Sequence, residues 1–265
     1  MAIKLIVMDL DGTLLNTDKL ISKGNREAIR KAQAKGVLTT IATGRMYLSA
    51  AFFAKQFEAN APLITCNGSM VKALDKEQPL FERVFPEDLL KELLTLSHER
   101  AWYVQWYSGT EIFAEDFRPE YFYAYRTSEG FKLLEVGDKY LQYAKDVNQV
   151  VVRNLHGEIP EILTEIKARF GDVILPQQNT GLTVDLTPPG VSKAVGIEAI
   201  MKAYGIQKDE VMACGDADND LKMLAFAGTS VVPANGSADA KALATYHAPS
   251  CNEDAIKKAI EDLVL

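Results

Sequence analysis

The chain is poor in the features that mark several protein classes. It holds three cysteines in 265 residues, Cys66, Cys214 and Cys251, widely spaced and odd in number. Cys66 and Cys214 lie in apolar strand-like runs, so they read as small buried hydrophobes rather than nucleophiles or zinc ligands. No hydrophobic run approaches the length of a membrane span. The apolar opening Ile3-Lys4-Leu5-Ile6-Val7-Met8 runs into Asp9 without a cleavage pattern, so it is not expected to be a signal peptide. The expected location is the cytoplasm. There is no basic run, and the net charge of −7 argues against nucleic-acid binding and against an anionic membrane face. Internal repeats and low-complexity segments are missing too.

What is present is an ordinary globular balance, 48% hydrophobic and 25% charged, over a length that suggests about two domains. Strand and helix patterns alternate from the start, as in a parallel sheet with crossovers. The run through Met8 reads as a buried strand. Ser22 caps a helix that Gly36 closes. Further strands are expected at 37–42 and 62–65, and Asn67-Gly68 reads as a type I′ hairpin turn. From Pro86 to about 188 the texture changes. This stretch is richer in Tyr, Trp and Phe, including Tyr121-Phe122-Tyr123-Ala124-Tyr125, and holds strands around 101–107, 111–114, 149–153, 172–176 and 182–186. It reads as an α+β segment with a largely antiparallel sheet. The parallel rhythm resumes with a helix at 192–204, a strand at 211–214 and a terminal helix from Asn252. The expected architecture is α/β: a doubly wound, Rossmann-like parallel-sheet core of residues 1–85 and 189–265, split by an inserted domain at 86–188.

Four polar constellations follow apolar strands or open helices: Asp9/Asp11, Thr43-Gly44-Arg45, Lys193, and Asp216 with Asn219 and Asp220. In a doubly wound sheet such strand ends face one crevice, so residues distant in sequence converge. Two carboxylates two residues apart repel unless a cation lies between them, which suggests a hard divalent metal, Mg²⁺ first, facing a phosphate. A turn-forming Asp pair that merely caps a helix is the plainer alternative. Thr43-Gly44 offers a hydroxyl and backbone N–H groups to a phosphate, or serves as an N-cap. Lys193 in the first turn opposes the helix dipole, or is a solvated surface lysine. Three acids and an Asn within 216–220 exceed what capping requires.

Together these residues resemble the haloacid dehalogenase superfamily of phosphohydrolases, whose four motifs occur in order: Asp-x-Asp-Gly-Thr at 9–13, Thr-Gly-Arg at 43–45, a lone Lys at 193 and Gly-Asp-x-x-Asn-Asp at 215–220. The resemblance extends over essentially the whole chain to the Cof-like phosphatases, which insert an α/β cap where residues 86–188 lie. One departure is Ala194, where these proteins usually carry Gly after the Lys. The resemblance implies Asp9 as nucleophile and Asp11 as general acid and base. It implies Mg²⁺ on Asp9, the Asp11 carbonyl and Asp216, with Asp220 behind them. It gives the phosphate to Thr43, the Gly44 N–H, Lys193, Asn219 and the Leu10 N–H. Arg45 is a phosphate or substrate contact, or a salt bridge to the cap. The implied activity is hydrolysis of small phosphate esters, sugar phosphates by default, by a monomer or weak homodimer. The alternatives are a phosphomutase or phosphotransferase on the same core and a receiver-type signalling module, for which the chain is twice too long.

Overall fold

The computed structural model describes residues 2–122, 132–154, 156–174, 176–180 and 182–265. In chain order it forms β1 (Leu5–Met8), α1 (Lys23–Ala34), β2 (Leu38–Ile41), α2 (Tyr47–Ala54), β3 (Leu63–Thr65), β4 (Met70–Lys72) and β5 (Phe81–Glu82). Then come α3 (Glu87–Glu99), β6 (Tyr103–Ser108), β7 (Glu111–Ala114), α4 (Pro119–Phe122), β8 (Lys132–Glu135), β9 (Gln149–Arg153), α5 (Ile159–Phe170), β10 (Pro176–Thr180) and β11 (Thr183–Leu186). The last segment holds α6 (Lys193–Tyr204), β12 (Val211–Cys214), α7 (Leu221–Phe226), β13 (Thr229–Pro233), α8 (Ala238–Ala242), β14 (Tyr246–Ala248) and α9 (Ala255–Leu263). The chain divides into two compact units, one of residues 1–45, 49–81 and 192–265, the other of 46–48 and 82–191.

The first unit is built on a parallel sheet in the order β14-β13-β12-β1-β2. β1 and β12 are buried at every position, as their continuous apolar runs require of strands covered on both faces. From β1 the chain builds outward to β2 on one side and to β12, β13 and β14 on the other. The strand order therefore reverses at β1, and the crevice beyond its carboxyl end is the place where such sheets bind ligands. Leu5, Val7, Val211 and Ala213 pack with Ile197 and Ile200 of α6 and with Ile64 and Val71. Each such side chain contributes roughly 1.5–3 kcal/mol on burial. Ser22 caps α1 by accepting the Asn25 N–H at 3.0 Å, and Asn25, Ala28, Ile29 and Ala32 form its buried stripe.

The second unit carries a six-stranded sheet, β10-β11-β9-β6-β7-β8, antiparallel except for the parallel pair β7/β8. Alternate residues (Val104 and Trp106 on β6, Val150 and Val152 on β9) face a core shared with Leu90, Leu93 and Leu94 of α3 and Ile162 and Ile166 of α5.

Several local expectations shift. The strand expected at 172–176 is found at Pro176–Thr180, because the chain turns first: the Val173 N–H donates to the Phe170 carbonyl after α5 ends. The terminal helix starts at Ala255 rather than Asn252, since Asp254 is left-handed. Asn67-Gly68 is not a two-residue hairpin loop. Thr65 pairs with Met70, so four residues lie between the paired positions. Within the Tyr-rich stretch, residues 123–125 lie outside those described.

Candidate active site

Asp9 directly follows β1, and its N–H donates to the Cys214 carbonyl at 2.9 Å, tying it to the end of β12. The chain then coils tightly: the N–H groups of Leu14 and Leu15 donate to the carbonyls of Asp9 and Leu10 at 3.2 and 2.8 Å. Leu10 is fully buried. Gly12 sits at φ +85°, and a Cβ there would lie 2.4 Å from Asp216 Oδ2. Both the left-handed backbone and the close approach exclude a side chain. Beside it, Thr13 Oγ1 donates to Asp216 Oδ1 at 2.7 Å.

Lys193 is the first residue of α6, after Ser192, whose side chain accepts the Val195 N–H. The solvated-surface alternative is overturned, because Lys193 is 0% exposed. Its Nζ donates to Asp9 Oδ1 and to Asp220 Oδ1, each at 2.6 Å. Two carboxylates outweigh the unfavourable dipole at a helix start. Burial alone would lower the Lys193 pKa, but Asp220 and Asp9 more than reverse it, and the amine is held charged. The other oxygen of Asp220 accepts the N–H groups of Asp216 and Ala217 at 2.9 and 3.1 Å.

Carboxylate oxygens of Asp9, Asp216 and Asp220 lie within 4.8 Å of one another. Three acids share one ammonium, which leaves an excess of negative charge. Burial pushes Asp9 well above the usual carboxylate range, against the pull of Lys193 and with the push of Asp220 and Asp216. Burial, reinforced by Asp220, pushes Asp216 up to about 6 despite its bond from Thr13. Such a cluster is relieved by a cation, and an all-oxygen donor set suits a hard divalent one. Both oxygens of Asp220 are engaged by Lys193 and the backbone. Among the described residues, Asp9 Oδ2 and Asp216 Oδ2 receive no hydrogen bond, so these are the oxygens that could hold an ion.

The Asp11 carboxylate is paired elsewhere. Arg45 Nε donates to its Oδ2 at 2.7 Å and Nη2 to its Oδ1 at 2.8 Å, while Lys19 Nζ reaches Oδ1 at 2.8 Å. Burial would raise the Asp11 pKa, but Arg45 and Lys19 together lower it to about 2. The Arg45 guanidinium also donates to Ser49 Oγ at 3.2 Å and lies 5.1 Å from the centre of the Phe53 ring. Arg45 thus forms a two-point ion pair with Asp11. Lys19 was not singled out by the sequence; it reaches Asp11 from a left-handed position in a loop that Asn16 Oδ1 fixes by accepting the N–H groups of Asp18 and Leu20.

Thr43 is 2% exposed; its Oγ1 accepts the Arg45 N–H at 3.1 Å, and its N–H donates to the Ile64 carbonyl. Asn219 Nδ2 donates to Oδ1 of Asn67 at 3.3 Å. Asn67 also escaped the sequence reading, where it passed for an ordinary turn residue.

Residues 6–260 match the model of the haloacid dehalogenase-like hydrolases. The chain belongs to that family. This haloacid dehalogenase-like protein is 31% identical to the 5-amino-6-(5-phospho-D-ribitylamino)uracil phosphatase YcsE of Bacillus subtilis, over 99% of this chain and 96% of the relative. It is 28% identical to YitU of the same organism, a phosphatase of the same name, over 97% and 96%. Among solved structures it resembles a haloacid dehalogenase-like hydrolase of Bacteroides thetaiotaomicron, at a TM-score of 0.87 and 26% identity over 98% and 99%. The fold is shared with the sugar phosphatase BT4131, at a TM-score of 0.82 and 24% identity over 98% of each chain. The chain is accordingly a Cof-like phosphatase, a phosphoric monoester hydrolase. Its Gly12→Ala variant is expected to lose activity by on the order of 10²-fold, because the new methyl displaces the Asp216 carboxylate. Unchanged phosphate release would show that the close approach at Gly12 has no catalytic consequence.

Proposed function

We propose that this haloacid dehalogenase-like enzyme is a Mg²⁺-dependent phosphatase of small phosphorylated metabolites, working through an aspartyl-phosphate on Asp9. The observation that carries the reading is the buried bridge from Lys193 to Asp9 and Asp220, with Asp216 within reach. It holds the Asp9 carboxylate beside a charged amine, the pairing that a site for a phosphate dianion calls for. Asp9 and Asp216, with the Asp11 carbonyl, would hold the metal, and Asp220 would support them through Lys193 and the backbone. When bound, Mg²⁺ supplies the positive charge that offsets repulsion between Asp9 and the phosphate.

In the first step an Asp9 oxygen attacks phosphorus, the phosphorus–oxygen bond to the leaving group breaks, and Asp11 delivers a proton to the departing alkoxide. In the second, Asp11 takes a proton from water, which attacks phosphorus and restores Asp9. Held by Arg45 and Lys19, Asp11 is a carboxylate, the form the second step uses. To act as acid first it must leave that clamp and gain a proton. Thr43, the N–H groups of Gly44 and Leu10, Lys193 and Asn219 would hold the phosphoryl oxygens.

The named activities of YcsE and YitU and the sugar-phosphatase neighbour favour an ester whose phosphate ends a sugar or sugar-alcohol chain. Residues 86–188 would form the domain that selects it, between core segments 1–85 and 189–265. The free cysteines and the want of a membrane-spanning helix among the described residues fit a cytoplasmic enzyme. Phosphate release from a panel including 5-amino-6-(5-phospho-D-ribitylamino)uracil and hexose phosphates tests the reading. Release that requires an added sugar acceptor would favour phosphotransfer, and no release from any member would defeat it.

Removal of metal should expose the acid cluster. With chelator present, Asp216 has a folded pKa near 6 against an ordinary 3.8, so the native state holds a proton that the unfolded chain gives up. Stability should therefore fall as pH rises from about 4 to 6. Added Mg²⁺ should raise the melting temperature most above that window and restore turnover, whereas Ca²⁺, which takes more ligands, should bind and inhibit. Thermal unfolding that ignores both pH and Mg²⁺ would contradict the metal site.

A further inference from the structure

The turn between β3 and β4 touches three separate parts of the site. The Cys66 and Asn67 N–H groups donate to the carbonyls of Arg45 and Thr43 at 2.9 and 3.0 Å. Gly68 packs so closely on α6 that a Cβ would lie 2.1 Å from the Ser192 carbonyl and 3.1 Å from the Lys193 nitrogen. Asn67 Oδ1 meets Asn219, 152 positions away in sequence. Cys66, Asn67 and Gly68 are all left-handed, at φ 49°, 54° and 101°, and all are buried. Consecutive left-handed residues that are not all glycine persist only where their surroundings fix them, and such strain gathers at functional sites.

We infer that Asn67 is a positioning residue of the phosphate pocket, setting the orientation of the Asn219 carboxamide. The inference rests on the phosphatase reading, in which Asn219 donates to a phosphoryl oxygen. A carboxamide has two nearly equivalent flip states, one presenting N–H and the other C=O. Facing a phosphate, the second state is repulsive. With Asn67 presenting Oδ1, the Asn219 nitrogen is the atom that faces it, and that pairing favours one state. The second N–H of that nitrogen then remains for the phosphate. The backbone bonds from the same turn to Thr43, and its packing on Ser192-Lys193, tie the three phosphate-binding segments to a common support.

Asn67→Gly tests this directly, since glycine keeps the left-handed backbone and removes only the carboxamide. The expected result is a fall in kcat/KM of about tenfold, with a matching rise in the inhibition constant of orthovanadate. In an Asn219→Ala background the same substitution should cost less than about twofold, because its target is gone. Asn67→Ala, strained but retaining a Cβ, should show the same dependence on Asn219 and serves if the glycine variant folds poorly. Equal losses in both backgrounds, or an unchanged kcat/KM, would overturn the assignment. Calorimetric titration of wild type and Asn67→Gly with inorganic phosphate separates the two readings. A wild type that binds phosphate but hydrolyses no ester defeats the catalytic reading alone, and weaker binding by the variant still supports the role of Asn67.

Discussion

Asp9→Asn should abolish turnover, by about 10⁴-fold or more, while the protein stays folded. The amide retains an oxygen that can accept from Lys193 Nζ, so the bridge to α6 survives in shape. What disappears is the charge that makes the oxygen a nucleophile. Because burial and the neighbouring acids already oppose ionisation of Asp9, removing its charge should leave the metal-free protein as stable as wild type or more so. Phosphate release in a contamination-controlled assay, read beside a thermal melt, checks both halves. Residual turnover above a trace would move the nucleophile elsewhere.

Lys193→Met has the opposite profile and the largest expected cost in stability. Methionine follows the lysine stem as far as Cε, but it leaves Asp9 and Asp220 buried without their shared ammonium. Removing one partner from a buried ion network costs about 3–5 kcal/mol, far more than an exposed pair. Chemical denaturation should show that loss, and kcat/KM should fall as well. Adding Asp220→Asn should recover part of the stability and none of the activity, since it relieves the unpaired charge without restoring a cation at the phosphate. A Lys193→Met protein as stable as wild type would mean that the bridge is not formed in solution.

The parallel sheet was legible because strands buried on both faces leave continuous apolar runs, as in Leu5–Met8 and Val211–Cys214. The polar constellations were legible because they interrupt those runs at the strand ends. The state of each side chain was not. Lysine is rarely buried, so nothing local distinguishes Lys193 from a surface residue; its partners lie 184 and 27 positions away. Lys19 and Asn67 were missed for a related reason. Each occupies a turn whose composition is explained by turn chemistry alone, and only the fold reveals what the turn touches. Boundaries such as Ala255 depend on one left-handed residue, Asp254, whose sequence carries no such mark.

The position of β1 in the sheet also bears on the birth of the protein. Its neighbour β2 begins 33 positions after it, but its other neighbour β12 begins 206 positions after it. At a synthesis rate of roughly 5–20 residues per second, β1 waits about 10–40 s with one edge unpaired. During that interval its backbone groups can template pairing with another nascent chain. Chains arrested before residue 211 should therefore aggregate on ribosome release, whereas chains that include β12 should stay dispersed.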